Sequence, residues 1–141
     1  MKKTSIAVIL LLIVFAAGLF FLQGEKEIDQ SIWKDAVYTE NTTLGIGKTA
    51  LYLVVKANDK EVTFTVKTNK TTVGEALKEV KLIEGEEGPY GIYIKKVNGI
   101  LADYDIDQSY WSFEQNGEAM LTGVDSTEFK NGETFELVYT K

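Results

Sequence analysis

Leu51-Tyr52-Leu53-Val54-Val55-Lys56, the turn Asn58-Asp59, Val62-Thr63-Phe64-Thr65-Val66-Lys67 and then Thr72-Val73-Gly74-Glu75-Ala76-Leu77-Lys78-Glu79-Val80 together decide the fold. In the first half, Leu51, Leu53 and Val55 alternate with Tyr52, Val54 and Lys56, and Val62, Phe64 and Val66 alternate with Thr63, Thr65 and Lys67. Successive side chains on a strand point to opposite faces, so this period of two predicts a β-hairpin with one apolar face. Then the period changes. Thr72 and Glu75 make the T-x-x-E pattern of a helix start, in which the threonine oxygen accepts from an amide of the first turn. Val73, Ala76, Leu77 and Val80 follow at helical spacing, which predicts a short helix from Val73 to Val80 whose apolar stripe needs a sheet to cover.

Towards the C-terminus, Glu84-Gly85-Glu86-Glu87-Gly88-Pro89-Tyr90-Gly91 holds three glycines and the chain's only proline, and is expected to be a loop. Ile92–Val97 reads as a strand, Asn98-Gly99 as a two-residue turn and Ile100–Ala102 as the return. Trp111–Gln115 is a further strand, closed by Asn116-Gly117 and answered by Glu118–Leu121. Asn131-Gly132 precedes a last strand, Thr134–Tyr139, with Phe135, Leu137 and Tyr139 on one face. A hairpin, one helix and then more strands imply an α+β domain, for which a β-grasp-like mixed sheet with one short helix is the simplest arrangement.

Towards the N-terminus, Asn41-Thr42-Thr43 with Gly45 and Gly47 reads as a hinge, and the folded domain is expected to start near Thr49. Residues 23–48 are then a juxtamembrane spacer, in which Ile28, Ile32, Ala36 and Val37 also permit a short amphipathic helix. Lys2 and Lys3 precede Ser5–Leu22, an uncharged run of 18 residues. As a helix it spans about 27 Å, close to the thickness of a hydrocarbon core of about 30 Å. Lysines before it and Glu25, Glu27 and Asp29 after it orient the N-terminus to the cytoplasm and everything downstream outside. Residues 1–22 are thus expected to be a signal anchor of a single-pass membrane protein with an extracytoplasmic C-terminal domain. A cleaved signal peptide, giving a secreted domain, is the alternative.

Composition narrows the function. The 141 residues include 15 lysines and no arginine, no histidine and no cysteine, with a net charge of −6. Without His or Cys there is no Ser-His-Asp triad, no thiol nucleophile and no zinc or haem site of the usual ligand types. Without Arg, and with an acidic balance, nucleic acid is not an expected partner. An exported chain without Cys has no disulfide framework and relies on its apolar core. What remains is binding, structural work or carboxylate-only chemistry, and a domain of some 90 residues has little depth for two carboxylates facing across a cleft. No enzyme activity and no cofactor are expected.

Several of these signals occur together in a known order. Thr72-Val73-Gly74-Glu75-Ala76-Leu77, Tyr90-Gly91-Ile92-Tyr93-Ile94, Val97-Asn98-Gly99, Tyr110-Trp111-Ser112-Phe113 with Asn116-Gly117, Gly123-Val124, and Asn131-Gly132-Glu133-Thr134-Phe135-Glu136-Leu137 resemble the C-terminal domain of transcobalamin and its bacterial relatives, a family largely of unknown function. The resemblance covers residues 49–141 and implies a β-grasp-like fold and extracytoplasmic binding of a small, corrinoid-like ligand. In transcobalamin this domain closes over cobalamin held mainly by a helical domain; other members are add-on modules of bacterial surface proteins. A cell-surface structural or protein-interaction role therefore stays open beside small-molecule capture.

Aromatic residues are the candidate binding groups, because tyrosine joins a large apolar area to a hydroxyl. If Ile92 and Ile94 face the helix, Tyr93 faces away; if Trp111 and Phe113 face it, Tyr110 faces away; Tyr52 does likewise in the first hairpin. Tyr52, Tyr93 and Tyr110 would then share an open sheet face, with Tyr90 in the glycine loop and Trp111 completing the expected ligand-binding set; Trp111 also reads as a core filler. Asp103-Tyr104-Asp105-Ile106-Asp107 has the spacing of a calcium loop with Glu114 at its twelfth position, but Gln108 stands where such a loop needs Gly, so a solvated acidic turn is expected and no metal site. The Glu84, Glu86 and Glu87 cluster reads as a solvated loop.

Overall fold

In the computed structural model the alternating stretch becomes strands, in the order β1 (Thr42–Gly45), β2 (Thr49–Ala57) and β3 (Lys60–Thr68), followed by helix α1 (Val73–Glu79). Next come β4 (Ile83–Gly88), β5 (Gly91–Val97), β6 (Ile100–Leu101), the one-turn helix α2 (Tyr104–Asp107), β7 (Tyr110–Gln115) and β8 (Glu118–Ala119). A 3-10 turn at Val124–Ser126 and strand β9 (Thr134–Thr140) close the chain. The fold is mixed α+β, mostly sheet with one short packed helix. The structure describes residues 32–141. Asp35–Lys141 is one unit, and Ile32–Lys34 belong with a separate one. The expected anchor at 1–22 and the start of the spacer lie outside the described residues, among which no helix is long and apolar enough to cross a membrane.

The expected single sheet is two. Six strands run in the order β1-β3-β2-β9-β7-β8, and β4-β5-β6 form a separate three-stranded antiparallel sheet. The larger sheet is mixed, since β1 lies parallel to β3 and β2 parallel to β9. β5 meets β7 through side chains instead of a hydrogen-bonded ladder, which leaves a gap between the two sheets. The core sits under the large sheet. Leu51, Leu53, Val55, Val62, Phe64, Val66, Phe135 and Leu137 point to one face and, with Val73, Ala76 and Leu77 of α1, are almost fully buried. Each buried Val, Leu or Phe among them contributes about 1.5–3 kcal/mol. Thr72 caps α1 as its sequence pattern implies, its hydroxyl accepting from the Glu75 amide at 3.2 Å.

Two stretches depart from expectation. The glycine-rich segment 84–91 is a hairpin arm: β4 pairs with β5 from Ile83↔Val97 to Gly88↔Gly91, with a bulge between Glu84 and Gly85. Gly85 makes the pairing feasible, because a Cβ there would lie 1.9 Å from the Tyr93 carbonyl oxygen. Its glycines read as loop because they are placed for close approach. Residues 35–48, expected as spacer, contribute an edge strand and a strap. Asn98, 1% exposed at φ 51°, turns the chain from β5 to β6. It also accepts from the Tyr38 amide at 2.9 Å through Oδ1, donates through Nδ2 to the Tyr38 carbonyl at 2.8 Å, and its own carbonyl accepts from Val37. The Tyr38 ring then meets Phe64 edge-on at 5.7 Å.

On the outer face of the large sheet Glu136 is only 8% exposed. It pairs with Lys56 and accepts from the Gly117 amide at 3.0 Å. The hydrogen bond from Lys56, then that from Gly117, holds the Glu136 carboxyl below its ordinary 4.5, and Glu136 raises Lys56 above 10.5. A depressed carboxyl stabilises the fold above its ordinary value and loses that contribution as pH falls through the folded value; the raised lysine loses its share as pH climbs past 10.5. Two outcomes are expected. In thermal unfolding, Leu53→Ala lowers stability by about 2–5 kcal/mol, roughly 10 °C or more in Tm. Glu136→Gln costs about 1 kcal/mol at neutral pH, and its melting curve converges with that of the parent protein below pH 4.5.

Candidate functional site

The gap between the two sheets is a half-open cleft of about 290 Å³. β5 lines one wall with Ile92, Tyr93 and Ile94; β7 lines the other with Tyr110, Trp111 and Phe113. Tyr104 of α2, Gly123 and Val124 complete the lining. No charged side chain faces into it. By contrast, a depression of about 300 Å³ bounded by Asp35, Lys81, Glu84 and Lys96 carries both signs of charge around little apolar surface. Convergent aromatic surface in a concave site is what a small-molecule pocket needs, so the cleft is the candidate site.

Local chemistry fixes each wall. Trp111 is 7% exposed, donates through its indole N–H to the Ile100 carbonyl at 3.2 Å and meets Tyr139 edge-on at 5.7 Å. Its polar handle is thereby used inside the fold and only ring surface reaches the cleft. Phe113 stacks on Phe135 at 5.6 Å. Tyr104 is held by α2, a single turn capped at both ends. Asp103 Oδ1 accepts from the Asp105 amide at 3.0 Å, and Asp107 accepts from both the amide and the hydroxyl of Ser109. The Ser109 hydroxyl, then its amide, keeps the Asp107 carboxyl below its ordinary value. The Tyr104 and Tyr110 rings stand 6.4 Å apart, tilted by 58°.

Behind the cleft, Asp125 ties three elements together. Its carboxylate accepts from the Ile92 amide at 2.8 Å and from Lys78 Nζ of α1 at 3.0 Å, and Lys78 also reaches Glu87 of β4 at 3.0 Å. Burial works to lower the Lys78 pKa, but the hydrogen bonds to Asp125 and Glu87 leave it raised above 10.5. The approach is close because residue 74 is glycine: a Cβ there would stand 2.0 Å from Asp125 Oδ1. This pin sets where β5 begins, and hence where Ile92 and Tyr93 stand.

A family model described as a domain of unknown function, DUF4430, matches residues 70–141, just over half of the chain and all of the cleft. The chain belongs to the DUF4430 family. Among solved structures, this DUF4430 chain is similar to a candidate metal-binding protein from Ruminococcus gnavus ATCC 29149, at 32% identity and a TM-score of 0.62, over 67% of this chain and 98% of that one. It also shares its fold with haptocorrin, solved in complex with Cbi, at 24% identity and a TM-score of 0.53, over 70% of this chain and 26% of haptocorrin. No curated protein matches it. The likeness to a transcobalamin-type C-terminal domain read from the sequence thus stands.

Of the aromatic residues singled out in the sequence of this DUF4430 domain, the cleft gathers Tyr93, Tyr110 and Trp111. Tyr52 lies instead on β2, exposed on the outer face of the large sheet opposite Thr65 and Thr134. Tyr90, 93% exposed, tips the β4–β5 hairpin, and only its carbonyl comes near Gly123. Tyr104 lies in an acidic stretch whose spacing reads as a solvated turn, and no periodicity marks it: Ile106, the other apolar residue there, is 76% exposed. Ile92, Ile94 and Phe113, read as core, are only half-buried. Among the described residues no three carboxylates gather: Asp103 caps the start of α2, Asp107 accepts from Ser109, and Asp125 and Glu87 share Lys78. Asp125→Ala is expected to cost about 1–3 kcal/mol and to speed hydrogen exchange at the Ile92 amide beyond that at Leu53 in the core, read residue by residue.

Proposed function

We propose that the chain is a membrane-anchored, extracytoplasmic binding module without enzymatic activity, in which a β-grasp-like DUF4430 domain takes a small molecule into the aromatic cleft between β5 and β7. The observation that carries this reading is the cleft itself: Tyr93, Tyr104, Tyr110 and Trp111 converge on one concavity with no charged lining. Three of them are 41–53% exposed, which is surface that a ligand would cover. The uncharged run Ser5–Leu22 behind two lysines supports the anchor and its orientation.

Haptocorrin, solved with Cbi, shares the fold and supports a flat, corrinoid-like ligand as one class to test. The chain spans about a quarter of haptocorrin, so such a ligand would rest here on one face only, and binding in the micromolar range is expected, not the tightest affinities known. Metal binding, the description carried by the Ruminococcus gnavus protein, finds no group of three donor side chains among the described residues.

Two measurements test the reading. In equilibrium dialysis of the purified protein against corrinoids, a panel of flat aromatic cofactors and small quaternary amines, at least one binds saturably, and Tyr93→Ala weakens it about ten-fold without lowering Tm; a panel with no binder would sink the proposal. In intact cells, external protease removes the epitope-tagged C-terminal domain while the protein stays with membranes after an alkaline wash. Protection of the tag would overturn the orientation.

A further inference from the structure

We infer that the ligand class of the cleft is an organic cation, a quaternary ammonium group or its close analogue; the inference rests on the reading of the cleft as a binding site and narrows it. Aromatic ring faces carry negative electrostatic potential, and a cation within about 6 Å of several of them is held without any carboxylate in contact. Tyr104 and Tyr110 stand 6.4 Å apart at 58°, two walls of an open corner. Tyr93 and Trp111 face the same space.

The polar groups of the site point the same way. The Trp111 indole N–H is already given to the Ile100 carbonyl, so the ring has no donor to offer an anion. The three tyrosine hydroxyls have no hydrogen-bond partner among the described residues; each can donate or accept and so selects neither sign of charge, which leaves the ring faces to decide. No lysine lines the cleft, and the chain has no arginine. Lysines on the elements around it are paired: Lys78 Nζ lies 3.0 Å from Asp125, Lys95 Nζ 2.9 Å from Glu86, and Lys141 Nζ 3.6 Å from Asp107. Asp103, Asp105 and Asp107 surround Tyr104, which adds long-range attraction for a cation and repulsion for an anion. A volume of about 290 Å³ holds a trimethylammonium head together with the chain that carries it.

The test is calorimetric titration of the purified full chain with choline, with tetramethylammonium, and with the neutral carbon isostere of choline in which a quaternary carbon replaces the nitrogen. Choline and tetramethylammonium are expected to bind, and the neutral isostere about ten-fold more weakly. Tyr104→Leu is expected to lose about ten-fold in choline affinity and Tyr104→Phe less than two-fold, because phenylalanine keeps the ring face; unchanged Tm in both variants separates binding from folding. Equal binding of choline and its isostere would overturn the cation class while leaving a ligand-binding cleft in place. Binding of corrinoids or flat cofactors in dialysis, without binding of either cation, would do the same. No binding of the cations, isostere or dialysis panel would overturn both readings.

Discussion

The parallel pairing of β2 with β9 is the constraint from which the rest of the domain follows. Leu53 sits opposite Phe135 and Val55 opposite Leu137, so the first hairpin and the last strand share one buried face. Two further contacts lock the register at its end: the Ala50 amide donates to Asn131 Oδ1 at 2.8 Å, and the Gly132 amide donates to the Ala50 carbonyl at the same distance. Parallel neighbours need a long crossover, and here nearly everything between Lys60 and Glu133 is that crossover. β7 has a place in the large sheet only because β9 lies there to pair with it. Without that pairing one wall of the cleft would have nothing to stand on. Closing so large a loop costs little more than closing a moderate one, since the entropy grows only with the logarithm of length, but it favours slow folding.

The other wall depends on a polar contact. Ionic groups hold poorly at exposed surfaces, yet Asp125 is only a fifth exposed and answers two donors from different elements. Helix α1, the 3-10 turn and the start of β5 are thereby fixed to one carboxylate, and the apolar residues of β5 inherit that precision. An apolar cleft placed by a polar pin behind it keeps its own lining free of charge, which suits recognition by ring surface.

Strands and turns with regular spacing were legible in the sequence: the hairpin at 49–68, the helix start at Thr72, the Asn-Gly turns and the shared face of Phe135, Leu137 and Tyr139 all follow from periodicity and local turn chemistry. Long-range arrangement was not. Nothing local tells that β5 leaves the large sheet and packs on β7 by side chains, and that single event turns an open sheet face into a cleft. It separates Tyr52 from Tyr93 and Tyr110, which alternation alone had put together. Gly85 misled for a related reason: a glycine chosen for closeness to the Tyr93 carbonyl looks the same in sequence as one chosen for a loop. Asn98 was read for its backbone, and its side chain, which decides where the strap runs, does its work 60 residues away in sequence.

The strap has a mechanical consequence. Tension entering Asp35–Lys141 along the chain from its N-terminal side reaches Val37 and Tyr38 before it reaches any strand of the large sheet, and there it meets three hydrogen bonds to Asn98 loaded together. The force is passed to the turn at the far end of β5, the strand whose opposite end carries Ile92 and Tyr93. A pulled chain would therefore load β5 before it peeled β1 from β3, so the strand that lines the cleft takes the first force.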